Sequence, residues 1–185
     1  MRIDRIQANY NVDINFVQFP LHPETPVEGK TLEQLFNASP ADIEQKNTHM
    51  KGLMDAEGLP YGKRTHTYNS RKAQELAKWA DTQANGSTIH DALFRAYFVD
   101  CLNVADKAVL LDVCQKLDLD VEAASQVIDG DAYGNAVDAD WQKSRSYGVT
   151  GVPTYVVGQA GIVGAQPYEA IEQLLQQAGV AARGA

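Results

Sequence analysis

Gly148-Val-Thr-Gly-Val-Pro153-Thr-Tyr-Val-Val157, followed by Gly161-Ile-Val-Gly-Ala-Gln-Pro167, is the stretch on which the fold turns. Pro153 to Val157 is rich in β-formers, Gly158 to Gly161 makes a tight connection, and Ile162 with Val163 can return as the antiparallel partner. Gln166 and Pro167 then open a helix that carries Tyr168, Ile171, Leu174 and Leu175 on one side. Two short strands bury too little surface to stand alone, so this hairpin needs a shared sheet. The only comparable segment upstream is Val12 to Phe19, where Val12, Ile14 and Phe16 alternate before Pro20 ends the run. The early strand and the late hairpin are expected to meet in one sheet.

Everything between them reads as helix. Arg2 to Tyr10 is a short helical stub, and Leu21 to Lys30, with its prolines and Gly29, is a loop. Thr31 can cap a short helix through Phe36. Ser39 and Pro40 open a longer one to about Glu57, with Ile43, Met50, Leu53 and Met54 as its apolar stripe. Ser70 to Asn85 places Ala73, Leu76, Ala77 and Ala80 on one face, with Gly86 as the stop. Further helices are expected over Thr88 to about Cys101, Asp106 to Leu117, Asp120 to Ile128 and Asp131 to Tyr147, each with a capping residue at its front. The tail from Gly179 is made of small residues and is expected to fray. The order strand, helices, hairpin, helix describes an α/β fold with a large all-helical insertion: residues 1–30 and 148–180 form the sheet-bearing part and 31–147 the insertion.

Bulk properties narrow the function. The chain of 185 residues carries 24 acidic and 16 basic side chains, for a formal net charge of -8, scattered rather than blocked. Nucleic acid and anionic membrane surfaces need a basic face, so neither is an expected partner. No apolar run approaches the length of a membrane span, and the residues after Met1 are polar rather than leader-like, so the default expectation is a cytoplasmic protein. Only two cysteines occur, Cys101 and Cys114; there is no disulfide framework and no Cys-x-x-Cys.

The motifs carry a resemblance. Gly148 to Val157 with Gly161 to Pro167 resembles the "GVxGVPTFVV … GAQP" signature of FrnE-type proteins, a cytoplasmic branch of the DsbA-like thioredoxin-fold superfamily. Asn69-Ser-Arg-Lys-Ala-Gln-Glu-Leu-Ala77 and Ala92-Leu-Phe-Arg-Ala-Tyr-Phe98 are similar to motifs of that branch's helical insertion, and the likeness runs from about Phe16 to Leu175. It implies a thioredoxin-like sheet and a thiol–disulfide oxidoreductase acting on protein dithiols, disulfides or a small thiol. It also implies that Pro153 is cis. Such a proline fixes a tight strand entry and leaves the backbone of Val152 free to pair with an extended ligand, with Thr154 beside it.

One departure is plain. The family's reactive Cys-x-x-Cys stands after its first strand, at a helix N-terminus where the dipole lowers a thiol pKa. Arg2 to Tyr10 matches the end of that helix, so the first strand of the fold and the cysteines are expected to lie upstream of Met1. That strand is internal to the sheet, and without it backbone groups on both sides lack partners. A truncated product, a displaced start codon, or a dimer or rearrangement that fills the gap are the alternatives. No catalytic residue is therefore assigned in this chain.

Other candidates are weaker. Asn69 and Gln166 are each expected to cap a helix; Gln166, beside the N-terminus of the last helix, could sit at the carboxylate of a peptide or of glutathione. His22, in the loop after Pro20, could line a pocket. His22, His49, His66 and His90 show no metal-ligand spacing. Asp129-Gly-Asp131-Ala-Tyr133-Gly134-Asn135 is like the start of a calcium loop, but Val137 and Asp140 replace its later ligands, and no metal is expected. Cys101 and Cys114 are expected to be unpaired thiols.

The candidate substrate-binding set is therefore Val152, Pro153, Thr154, Gln166, Asn69 and His22. The leading expectation is a DsbA/FrnE-like oxidoreductase family protein without dithiol activity in this polypeptide. The alternatives are a glutathione-dependent isomerase or transferase of the hydroxychromene-carboxylate isomerase or kappa type, and a non-catalytic peptide-binding protein. A homodimer is allowed by the resemblance alone.

Overall fold

Capping side chains set the register of several helices in the structure, a computed structural model that describes residues 2–184. The chain falls into two units, Met1–Leu21 with Asp140–Ala185, and His22–Ala139. The sequence placed the divisions at 30 and 147.

The His22–Ala139 unit is helical, with helices α2 (Leu32–Phe36), α3 (Pro40–Ala56), α4 (Arg71–Ala80), α5 (Ile89–Phe98), α6 (Lys107–Lys116) and α7 (Val121–Asp129). Thr31 and Ser39 close capping boxes on Gln34 and Asp42, and Asp106 and Asp120 accept first-turn N–H groups of α6 and α7. Its core gathers Leu76, Ala77 and Ala80 of α4, Ile89 of α5, Leu110 and Cys114 of α6, and Ala124 and Val127 of α7. Each large aliphatic side chain buried there is worth about 1.5–3 kcal/mol.

Two expectations need correction in this unit. Helix α4 stops at Ala80, where Asp81 takes the C-cap and a 3₁₀ turn, Gly86–Thr88, follows. In α3 only Ile43 and Asn47 are buried; Met50 and Leu53 are exposed, so the expected stripe is not a buried face. A short pairing the sequence did not signal joins β1 (Lys30–Thr31) to β2 (His66–Thr67).

The second unit holds α1 (Arg2–Asn9), β3 (Thr154–Val157), β4 (Ala160–Val163) and α9 (Tyr168–Gln177). Helix α8 (Gly134–Ser146) starts in one unit and ends in the other. The hairpin pairs Thr154 with Val163 and Val157 with Ala160. Alternation then gives it two faces: Tyr155, Val157 and Ile162 pack with Ile6 of α1, Tyr10 just after it, and Tyr168, Ile171 and Leu175 of α9. Val156 and Val163, on the other face, are 40% and 51% exposed.

The early segment does not form the expected strand. Residues 11–20 carry no ladder, and the two sheets are β1–β2 and β3–β4, so the hairpin and Val12 to Phe19 share none. Alternating apolar residues supply a face but no hydrogen-bonding partner, and none of the described strands pairs with this segment. The C-terminal tail, by contrast, does not fray. Tyr10 bridges Ala182, Arg183 N–H donates to the Asn9 carbonyl at 2.7 Å, and the Arg183 guanidinium holds the Gln7 and Tyr10 carbonyls.

Candidate functional site

The loop Gly148 to Pro153 enters β3 through a cis Val152–Pro153 peptide bond. Its neighbours consume their backbone groups internally. The Thr154 hydroxyl donates to the Gly151 carbonyl at 2.7 Å, and Gly164 N–H donates to the Pro153 carbonyl at 2.7 Å. Gly164 sits at φ +91°, a conformation that glycine adopts freely and L side chains rarely do. Among the described residues, no hydrogen bond reaches the N–H or carbonyl of Val152, which is 52% exposed.

The loop after β4 buttresses the same corner. Gln166 N–H donates to the Gly164 carbonyl at 2.8 Å and its side-chain amide donates to the Val163 carbonyl at 2.6 Å. That overturns the expectation that Gln166 caps α9: the N-cap is Pro167, and no side chain caps this helix. Arg2 donates to the Ala165 carbonyl at 3.2 Å, and the Arg5 guanidinium lies 3.9 Å over the Tyr168 ring. Burial pushes the Tyr155 phenol above the ordinary tyrosine value, with the nearby Arg2 charge pulling the other way. The rim is thus apolar, formed by Val152, Val156 and Val163, and the polar groups around it are mostly spent on holding the backbone.

Val152, Pro153, Thr154 and Gln166 therefore stand together, joined through Gly164. Asn69 and His22 belong to the other unit. Asn69 has a structural task there: its carbonyl oxygen accepts Arg71 N–H at the front of α4, and its amide donates to the Thr25 carbonyl at 2.7 Å. His22 is half-buried, and its carbonyl accepts Thr25 N–H in a turn. The sequence reading missed Gly164 and Val163; the Gly in the Gly-Ala-Gln-Pro run was the available signal.

The remaining candidates resolve simply. Among the described residues no group of histidines, cysteines and acids could hold a metal ion. In the calcium-like segment, Lys107 occupies Asp129, Lys72 takes the Gly130 carbonyl and Arg71 the Gly134 carbonyl. Cys101 and Cys114 are both free; burial pushes the Cys114 thiol up to about 11. No helix among the described residues is long and apolar enough to cross a membrane.

A cis-proline corner on a hairpin backed by two helices, with a helical insertion ahead of it, defines a thioredoxin-like class of protein. Residues 1–176 match the DSBA-like thioredoxin domain, and the chain belongs to that family of oxidoreductases. No curated protein matches it. Among solved structures, a probable DsbA oxidoreductase from Streptomyces coelicolor is 25% identical, with a TM-score of 0.87 over 96% of this chain and 82% of that one. A 2-hydroxychromene-2-carboxylate isomerase, 17% identical, shares the fold with a TM-score of 0.72 over 96% of this chain and 85% of its own.

Proposed function

We propose that this chain is a FrnE-type member of the family that keeps the peptide-holding part of thiol–disulfide exchange, at Val152, Pro153 and Thr154, and performs no dithiol turnover of its own. The observation that carries the reading is the unpartnered backbone of Val152 at an exposed corner where the flanking Gly151 and Pro153 carbonyls are already bonded. An extended peptide pairs with such a residue through its own N–H and carbonyl, and the valine rim selects apolar side chains beside the pairing point.

Exchange chemistry needs a thiolate that attacks and a second thiol that resolves. The sequence has no Cys-x-x-Cys, and Cys114 is buried with its thiol held protonated. A cytoplasmic location accompanies this reading, supported by free cysteines in a chain without a disulfide.

The test joins two measurements on the full chain. A fluorescent, extended, apolar peptide should bind, and reduction of insulin disulfides should not rise above background. Insulin reduction that disappears in Cys101→Ser or Cys114→Ser would overturn the reading, as would absence of peptide binding.

A further inference from the structure

Arg64, in the helical unit, is a half-buried cation to which the fold gives no counter-ion. Its guanidinium lies 4.3 Å from the Tyr97 ring centroid and 5.0 Å from that of Phe98, and Nη2 donates to the Tyr97 hydroxyl at 2.8 Å. Nε is buried with no hydrogen-bond partner, and no carboxylate among the described residues pairs with the charge. The chain has 24 acidic side chains, and both Arg71 and Arg95 reach one. Ring stacking contributes about 0.5–2 kcal/mol to such a group. A carboxylate would add charge-assisted hydrogen bonds of about 1.5–3 kcal/mol each.

The group is held in place from two sides. Asn47 Nδ2 of α3 donates to the Arg64 carbonyl at 3.0 Å, and Gly62 N–H donates to the Phe98 carbonyl of α5 at 2.8 Å. That close approach requires glycine, since a Cβ at Gly62 would collide with the Val99 carbonyl. Burial pushes the Tyr61 phenol above the ordinary tyrosine value while the Arg64 charge beside it pulls the other way, so at neutral pH the hydroxyl keeps its proton and can donate. One turn before Phe98 on α5, with ring centroids 6.4 Å apart, Phe94 is 52% exposed.

We infer that this surface docks an extended acidic segment of a partner protein, with a carboxylate on Arg64 and Tyr61 and a large apolar side chain on Phe94 and Phe98. Charge complementarity selects the acid: a guanidinium whose plane is fixed by stacking presents parallel donors that match a carboxylate. Spacing selects the backbone: in extended chain, side chains two residues apart share a face and stand roughly 7 Å apart, close to the separation of the two rings. This surface is independent of the Val152 corner.

Titration of the full chain with the peptide Gly-Ser-Glu-Ser-Phe-Ser-Gly, blocked at both ends and followed by NMR, tests this. Shifts are expected at Arg64, Phe94 and Phe98, and a twin peptide with Gln in place of Glu should bind about tenfold or more weakly. Arg64→Met should weaken the acidic peptide by a similar factor, and Phe94→Ser, at an exposed ring, keeps the test valid should Arg64→Met fail to fold. The inference is overturned if the acidic peptide does not bind, if its shifts fall only around Val152, if the Gln twin binds equally, or if binding is unchanged in Arg64→Met or Phe94→Ser.

Discussion

Arg71 and Glu75 hold each other one turn apart on α4, Nε donating to Oε1 at 2.7 Å, with the Glu75 side chain only 2% exposed. Lys72 binds the other carboxylate oxygen at 2.8 Å. Arg71 also reaches Asp138 at 2.6 Å and the Gly134 carbonyl at 2.9 Å. Burial disfavours the Arg71 charge, but these hydrogen bonds outweigh it and hold the guanidinium above its ordinary pKa. The Asn69 to Ala77 motif is thus a structural clamp of the helical unit. Removing one partner of a buried pair costs about 3–5 kcal/mol, and Lys72 remains to compensate Glu75. Arg71→Met is therefore expected to cost about 3 kcal/mol, read as a lowered midpoint in urea unfolding.

Cys114 gives a pH dependence with a definite sign. Its folded-state thiol titrates at about 11 against an ordinary value of 9.0, so between these the native state keeps a proton that the unfolded chain releases. Stability from this group is unaffected below pH 9 and falls as pH rises toward 11. Cys114→Ala should flatten that alkaline loss in unfolding curves taken from pH 8 to 11. At pH 8 a thiol reagent should modify half-buried Cys101 first, and Cys114 only on unfolding.

Gly86 shows why a residue that looked like a simple helix stop is constrained further. A Cβ there would collide with the Ala80 carbonyl and carbon at the end of α4. Because backbone rather than a flexible side chain is in the way, Gly86→Ala should cost about 2 kcal/mol or more. Differential scanning calorimetry should show a Tm lowered by about 5 °C or more.

Asp120 caps α7 by accepting the Glu122 and Ala123 N–H groups, each at 3.0 Å. Asp120→Ala should cost about 1 kcal/mol, and Asp120→Asn much less, since the amide oxygen can still accept. Chemical denaturation of both variants separates capping from charge.

Local rules made the helices and the hairpin legible. Thr31, Ser39, Asp106 and Asp120 sit at the caps their side chains predict, because capping is settled within four residues. What failed depended on partners far along the chain. Val12 to Phe19 has the alternation of a strand, but alternation cannot say whether a neighbour exists. Met50 and Leu53 sit at helical spacing on a face that nothing buries. The site was half legible. Val152, Pro153 and Thr154 followed from the motif, whereas Gln166 was assigned to a cap because sequence does not show that its amide reaches back to Val163.

The most direct test of the account follows the Val152 amide by NMR while a thiol-free, extended apolar peptide is titrated into the full chain. The account predicts that Val152 and Thr154 shift together, with the Val152 N–H gaining protection from exchange. Saturating peptide that leaves Val152 unmoved, or that shifts only resonances of the helical unit, would contradict it.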